Sequence, residues 1–148
     1  MIGNFNQAIN DLTKAITIYP DAPVNARTYY LRANSYIQLG NAEKAIRDMD
    51  KAIELNPKEP GYYNYRATCK NLYLASIIAN YTKTEKGSFT SFYSYETLKK
   101  LSDRDANIAK FVIYCEDLKE QSVNDHKIAA KLGDKQSQEY LSSRGIPW

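Results

Sequence analysis

Residues 40–57 read GNAEKAIRDMDKAIELNP, and residues 3–20 read GNFNQAINDLTKAITIYP. Aligned at an offset of 37, nine of the eighteen positions are identical, among them Asn4 with Asn41, Ala8 with Ala45, Ile9 with Ile46, Asp11 with Asp48, Ala15 with Ala52 and Pro20 with Pro57. Self-similarity at such a period marks a stack of small units, each unable to bury its apolar face without a neighbour. A second block repeats at an offset of 34, pairing Tyr29 with Tyr63, Arg32 with Arg66 and Ala33 with Ala67. The offsets differ by three, which places a three-residue insertion between Pro20 and Tyr29.

Both copies have helical period. Phe5, Ala8, Ile9, Leu12, Ala15, Ile16 and Tyr19 fall at i, i+3, i+4, i+7 spacing, as do Ala42, Ala45, Ile46, Met49, Ala52 and Ile53. Asn4 and Asn41 are placed to cap these helices, and Pro20 and Pro57 to stop them. A further helix from Tyr29 to Leu39 runs into Gly40, whose tolerance of positive φ suits a tight turn between antiparallel helices.

A helix pair of 34 residues ending in proline, with Tyr29, Ala33, Tyr36, Gly40, Ala45, Met49, Ala52 and Pro57 in register, resembles the tetratricopeptide repeat. The small residues fall where helices of such a repeat approach most closely. On this resemblance residues 2–20 are the second helix of a preceding repeat, 23–57 a complete repeat and 60–84 a degenerate one. Residues 85–148 are divergent helices with a terminal cap. Within 60–84, Ile77 to Lys83 read as a degenerate second helix without the turn glycine. Thr84 to Tyr95 read as a long loop, and Ser102 as the cap of a helix carrying Ile108, Phe111, Val112, Cys115 and Leu118. The tail, from Ile128 through Gly133, Asp134, Gln138, Tyr140 and Leu141 to Gly145, resembles the helix-turn-helix of Sel-one-like repeats. The expected fold is an all-α, right-handed solenoid of antiparallel helix pairs, with about seven or eight helices in a single domain over 1–148.

Composition narrows the function. A chain of 148 residues with 43% hydrophobic and 25% charged residues has the make-up of one globular domain. Its apolar runs are far shorter than the ~18–20 residues of a membrane helix, and the first ten residues lack the charged start and apolar block of an export signal. Two cysteines 46 apart and one histidine offer too few ligands for a structural zinc site, so the reading is a reduced, cytoplasmic setting without metal or cofactor. The net charge of +3 is spread along the chain, with 7 basic against 7 acidic residues before Pro60 and 13 against 10 from there on. A nucleic-acid binder usually concentrates its basic residues, so that partner is disfavoured, with Lys99, Lys100, Arg104 and Lys110 as its best case.

No catalytic constellation emerges. Cys115 lies on an apolar stripe, Cys69 lies inside a helix, and His126 between Asp125 and Lys127 reads as solvated. Neither a P-loop nor a GxGxxG is present. The expectation is a protein-interaction module rather than an enzyme. By the same resemblance, the first helix of each repeat lines a concave groove that holds a partner's peptide or helix. Groove positions would be Arg27, Tyr30, Asn34, Ile37 and Gln38 in the complete repeat, and Asn64, Thr68, Asn71 and Leu72 in the next. Carboxamides suit this role because each offers donors and an acceptor to a peptide backbone. A clamp for a chaperone's terminal carboxylate is not implied, since Tyr30 stands at the lysine position and Asn64 and Thr68 replace its basic pair. Arg32 and Arg66 read as stems packed on neighbours with snorkelling heads. A purely structural subunit, its groove filled by its own C-terminal helices, is a further alternative. Finally, Phe5, Ile9, Leu12 and Ile16 offer more apolar surface than one neighbouring helix covers, which calls for a cover: a second copy forming a homodimer through the N-terminal helix is favoured, with the C-terminal helices folding back or residues upstream of Met1 as alternatives.

Overall fold

In the computed structural model, which describes residues 4–19, 22–84, 95–103 and 106–148, seven helices and no strands are found among the described residues. They are α1 (Phe5–Ile18), α2 (Asn25–Gln38), α3 (Ala42–Leu55), α4 (Pro60–Thr84), α5 (Tyr95–Leu101), α6 (Ala106–Lys131) and α7 (Lys135–Ser142). Successive helices from α1 to α4 pack on one another, α6 packs on α4, and α5 and α7 pack on α6. This is the all-helical layering of neighbours that the repeats imply.

Local chemistry sets the boundaries. Asn4 and Asn41 accept from the backbone amides of Gln7 (3.1 Å) and Lys44 (3.2 Å), each satisfying a donor that the first helical turn leaves free. Gly40 turns the chain at φ +73°, and the Asn41 amide then bonds the Tyr36 carbonyl at 2.8 Å. The alanines at the repeat positions are small because backbones meet there: Ala33, Ala45, Ala52 and Ala67 have no exposed surface. Met49, equally buried, joins Ile16, Tyr29 and Cys69 in the core that unites α1 to α4. Each large apolar side chain so buried contributes about 1.5–3 kcal/mol.

The chain departs from the regular repeat at position 74. A glycine there would mirror Gly40, but Leu74 is 8% exposed and α4 continues unbroken to Thr84. The separate second helix expected at Ile77 to Lys83 is therefore corrected: it is the continuation of α4, because no residue in that stretch ends the helix. α6 covers α4 instead. Ser122 donates to the Ala67 carbonyl at 3.2 Å, and the rings of Tyr81 and Phe111 stack at 4.0 Å, so the two long helices run antiparallel along most of their length. The loop expected over 84–95 falls, for residues 85–94, outside the described residues, as do Pro20 and Arg104.

Asp125, on α6 and 1% exposed, meets Arg66 at 2.6 and 3.0 Å and Lys70 at 2.8 Å, both from α4. Arg66 also reaches Asp50 of α3 at 2.6 Å. One α2 residue does the same work earlier in the chain. Arg32 donates to both oxygens of Asp48 on α3, at 2.8 and 2.7 Å, and to Thr13 of α1 at 3.0 Å. The arginine stems are packed as expected, but their heads are correctly described as paired and partly buried rather than snorkelling into solvent. Hydrogen bonds donated to Asp48 outweigh burial and raise the Arg32 pKa further.

Gly133, at φ +98°, turns α6 into α7, and the Asp134 side chain accepts from the Ser137 amide at 2.7 Å to cap the last helix. The helix-turn-helix in the tail is present. No described helix is long and apolar enough to cross a membrane.

Candidate functional site

Side chains at spacings of three and four share one face of a helix, and this puts Arg27, Tyr30, Asn34 and Gln38 on a single stripe of α2. Arg27 and Gln38 are exposed, while Tyr30 and Asn34 are partly buried. The Tyr30 ring is held by two rings of α4: Tyr62 stacks at 5.8 Å and Tyr65 meets it edge-on at 5.0 Å. These three tyrosines form an aromatic shelf bridging α2 and α4. Burial pushes the Tyr65 phenol up, and burial with the nearby Glu59 carboxylate raises Tyr62, so these two α4 rings are neutral across the physiological range. Tyr62 and Tyr65 were not among the sequence candidates. The signal was the surplus of tyrosine, thirteen in all, concentrated here between Tyr62 and Tyr65.

The α4 candidates stand in different settings. Asn64 donates through Nδ2 to Asp134 at 2.9 Å and to Gln136 at 3.2 Å, so the cap and first turn of α7 occupy it. Its role is that of an anchor for the C-terminal hairpin. Thr68 is exposed and returns its hydroxyl to the Asn64 carbonyl at 3.2 Å, an ordinary intrahelical bond. Asn71 and Leu72 are exposed one turn further along, and Asn71 borders a cavity with α6 and α7. Ile37 is partly buried against the core of α1 to α4.

The residues weighed for chemistry take structural places. Cys69 and Cys115 are free thiols with no exposed surface, and burial pushes the Cys69 thiol up to about 12, far from a reactive thiolate. His126 is 5% exposed, not solvated: its Nδ1 lies 3.2 Å from the Ser137 hydroxyl and its ring stacks on Tyr140 at 4.0 Å. Burial holds its pKa below the ordinary imidazole value, against the pull of Asp125 and Asp134. Among the described residues, no three His, Cys, Asp or Glu side chains form a group that could hold a metal. Of the basic residues considered for nucleic acid, Lys100 and Lys110 are exposed and Lys99 stands 3.7 Å from Glu116.

Residues 26–59, which span α2 and α3, match the family model of the tetratricopeptide repeat, and this supports a chain built on repeats of that type. A search of curated proteins returned no match.

Proposed function

We propose that the chain is a non-enzymatic protein-interaction module of the cytoplasm. A partner's peptide or helix lies along the α2 stripe, contacting Arg27, Tyr30, Asn34 and Gln38, and passes over the tyrosine shelf toward Thr68 and Asn71. The observation that carries the reading is the repeat match over α2 and α3, since repeats of this type suggest protein interaction. The exposure of Arg27 and Gln38 supports it, as do carboxamides offering both donor and acceptor to a backbone. Tyrosine rings supply contact area at low entropic cost. Asn64 takes part indirectly, by holding the hairpin that flanks this surface.

The test starts from capture of partners on immobilised full-length protein, with binding of each identified partner then measured by titration. A triple variant, Arg27→Glu with Asn34→Ala and Gln38→Ala, should bind at least tenfold more weakly, because about 1.4 kcal/mol is lost readily when several contacts go. A control outside the stripe, Arg47→Ala on the exposed surface of α3, should bind normally. A partner held equally by the triple variant would refute this surface.

A second reading, a structural subunit whose groove is closed by its own C-terminal residues, draws on the bonds from Asn64 to Asp134 and Gln136. It predicts that loss of residues 132–148 would create binding where the intact chain has none. Nucleic acid stays a third alternative, recognisable by steep weakening of binding with salt.

A further inference from the structure

Arg27 and Gln38, the ends of the α2 stripe, stand eleven positions apart, a span of ~16 Å at the ~1.5 Å rise of an α-helix. The polar groups along it have no partner within the chain. Among the described residues, no hydrogen bond or ion pair is formed by the Arg27 guanidinium, by the Asn34 and Gln38 carboxamides, or by the Tyr30, Tyr62 and Tyr65 hydroxyls. Arg27 is thus an unpaired cation near Tyr62, and the stripe carries no acidic residue. Glu59, the other charge that acts on Tyr62, lies at the approach to α4 and accepts from the Gly61 amide at 3.2 Å. The rings hold one another in place. Tyr30 stacks on Tyr62 at an interplanar angle of 29° and meets Tyr65 edge-on at 67°, so the shelf offers ring faces and edges at set inclinations. Burial keeps Tyr62 and Tyr65 protonated and able to donate.

We propose that the α2 stripe and its tyrosine shelf bind a proline-rich segment in the polyproline II conformation, flanked by an acidic residue that pairs with Arg27. Donors beside aromatic rings select this backbone. A partner helix satisfies its own carbonyls internally and offers these donors none. A partner strand needs a sheet edge, and the described residues hold no strand. A polyproline II segment leaves its carbonyls open to donors and lays pyrrolidine rings on aromatic ones. It is also extended before it binds, so little conformational freedom is lost. Length agrees as well: at ~3.1 Å per residue, five prolines cover ~16 Å, the span of the stripe. Charge complementarity sets the flank, since the unpaired Arg27 attracts a carboxylate while the Glu59 side of the shelf repels one. The proposal rests on the protein-interaction reading and adds the chemistry of the partner.

The experiment uses the full chain, isotope-labelled for NMR, titrated with acetyl-Asp-Pro-Pro-Pro-Pro-Pro-Asp-amide, whose two acids serve either chain direction. Two counterparts accompany it, one with asparagine for each aspartate and one with Ser-Gly-Ser-Gly-Ser for the prolines. The proline peptide should move the ring signals of Tyr30, Tyr62 and Tyr65 and the side-chain amides of Asn34 and Gln38. Its asparagine counterpart should bind about fivefold more weakly, the difference between a charge-assisted and a neutral bond. The Ser-Gly counterpart should bind about tenfold more weakly, for want of rings and of a preset backbone. Arg27→Gln, at an exposed position, should remove the difference between aspartate and asparagine forms, and Tyr62→Leu should weaken both. Equal binding of the proline and Ser-Gly peptides would overturn the proposal, as would an aspartate preference that is absent from the parent or survives in Arg27→Gln. Undiminished binding by Tyr62→Leu, or no shift at the three tyrosines, would overturn it too. A captured partner that is lost in the Arg27, Asn34 and Gln38 triple variant while no proline peptide binds would overturn the ligand chemistry alone and leave the α2 surface standing. A partner held equally by that variant would refute the surface itself.

Discussion

Arg66 and Asp125 join α4 to α6 through the same two-bond clasp with which Arg32 and Asp48 join α2 to α3. The correspondence extends to the second partner of each arginine, Asp50 for Arg66 and Thr13 for Arg32, positions that are 37 residues apart in the repeat alignment. Around Asp125, the residues Ser122, His126 and Ala129 then correspond to Ala45, Met49 and Ala52 around Asp48, all buried. α6 thus pairs with α4 as α3 pairs with α2, at an offset of 77 residues between the two aspartates.

Asp125→Ala should cost about 3–5 kcal/mol, because it strands Arg66 and Lys70 in a buried site with no carboxylate between them. Urea unfolding of the variant beside the parent measures it. A loss under 1 kcal/mol would mean that water reaches both cations freely.

Ala33→Leu should cost about 1–3 kcal/mol by overpacking the α2 crossing, where the alanine has no exposed surface. The melting temperature and the urea midpoint should fall together. An unchanged midpoint would show slack in a contact that the repeat keeps tight.

His126 has a folded-state pKa below its unfolded value of 6.5, since burial penalises the imidazolium. The unfolded chain therefore binds the proton first as pH falls. The stability carried by the neutral ring is complete above 6.5 and is lost as pH drops from there toward the folded-state value, at about 1.36 kcal/mol for each unit between the two. Asp125 and Asp134 act on the ring in the opposite sense and Arg144 in the same sense as burial. Urea midpoints at pH 7.5 and 5 should therefore differ more in the parent than in His126→Gln. A gap of the same size in both would assign the pH dependence to carboxylates alone.

Asn64→Ala should destabilise by about 0.5–1.5 kcal/mol through loss of its bonds to the C-terminal turn, and exchange of the amides of α7 should accelerate. Asn34→Ala with Gln38→Ala should change stability by less than about 0.5 kcal/mol, since Gln38 is exposed and Asn34 only partly buried. Hydrogen exchange on the two variants separates an anchor from a docking stripe, and similar protection of α7 in both would cancel the distinction.

On α1, only Ile16 is fully buried, with Phe5, Ile9 and Leu12 partly covered. A second copy of the chain is proposed to cover the remainder. Light scattering on a sizing column should give a mass that rises with concentration, and Phe5→Glu with Leu12→Glu should hold it at 16.9 kDa. A parent that stays at that mass at every concentration would rule the dimer out.

What the sequence made legible was local. The asparagine caps, the Gly40 turn and the buried alanines all depend on residues within a few positions of one another, and helical period is enough to find them. The α4 to α6 pairing was hidden because nothing local states which helix a continuous α4 will meet. Leu74 signals that the turn is absent, not where the partner lies. His126 was misread for a related reason. The stripe Leu118, Ser122, Asp125, His126 and Ala129 has helical spacing but polar members, and their burial makes sense only once Arg66, Lys70 and Tyr140 arrive from other helices. At the candidate site, the α2 stripe followed from spacing, whereas the capture of Asn64 required a contact across 70 residues.

Leucine at position 74 also sets a timetable for synthesis. α1 to α3 pack chiefly on near neighbours in sequence, so their closure is fast and can be finished while the chain is still emerging from the ribosome. The face of α4 that carries Ala67 and Lys70 has to wait for Ser122 and Asp125, 55 residues later, and closing so large a loop adds both delay and entropic cost. At typical translation rates of about 5–20 residues per second, that interval lasts seconds. During it α4 presents an apolar, cation-bearing helix face to whatever is nearby, which makes this the stage at which the nascent protein is most exposed to misassembly and most dependent on chaperones.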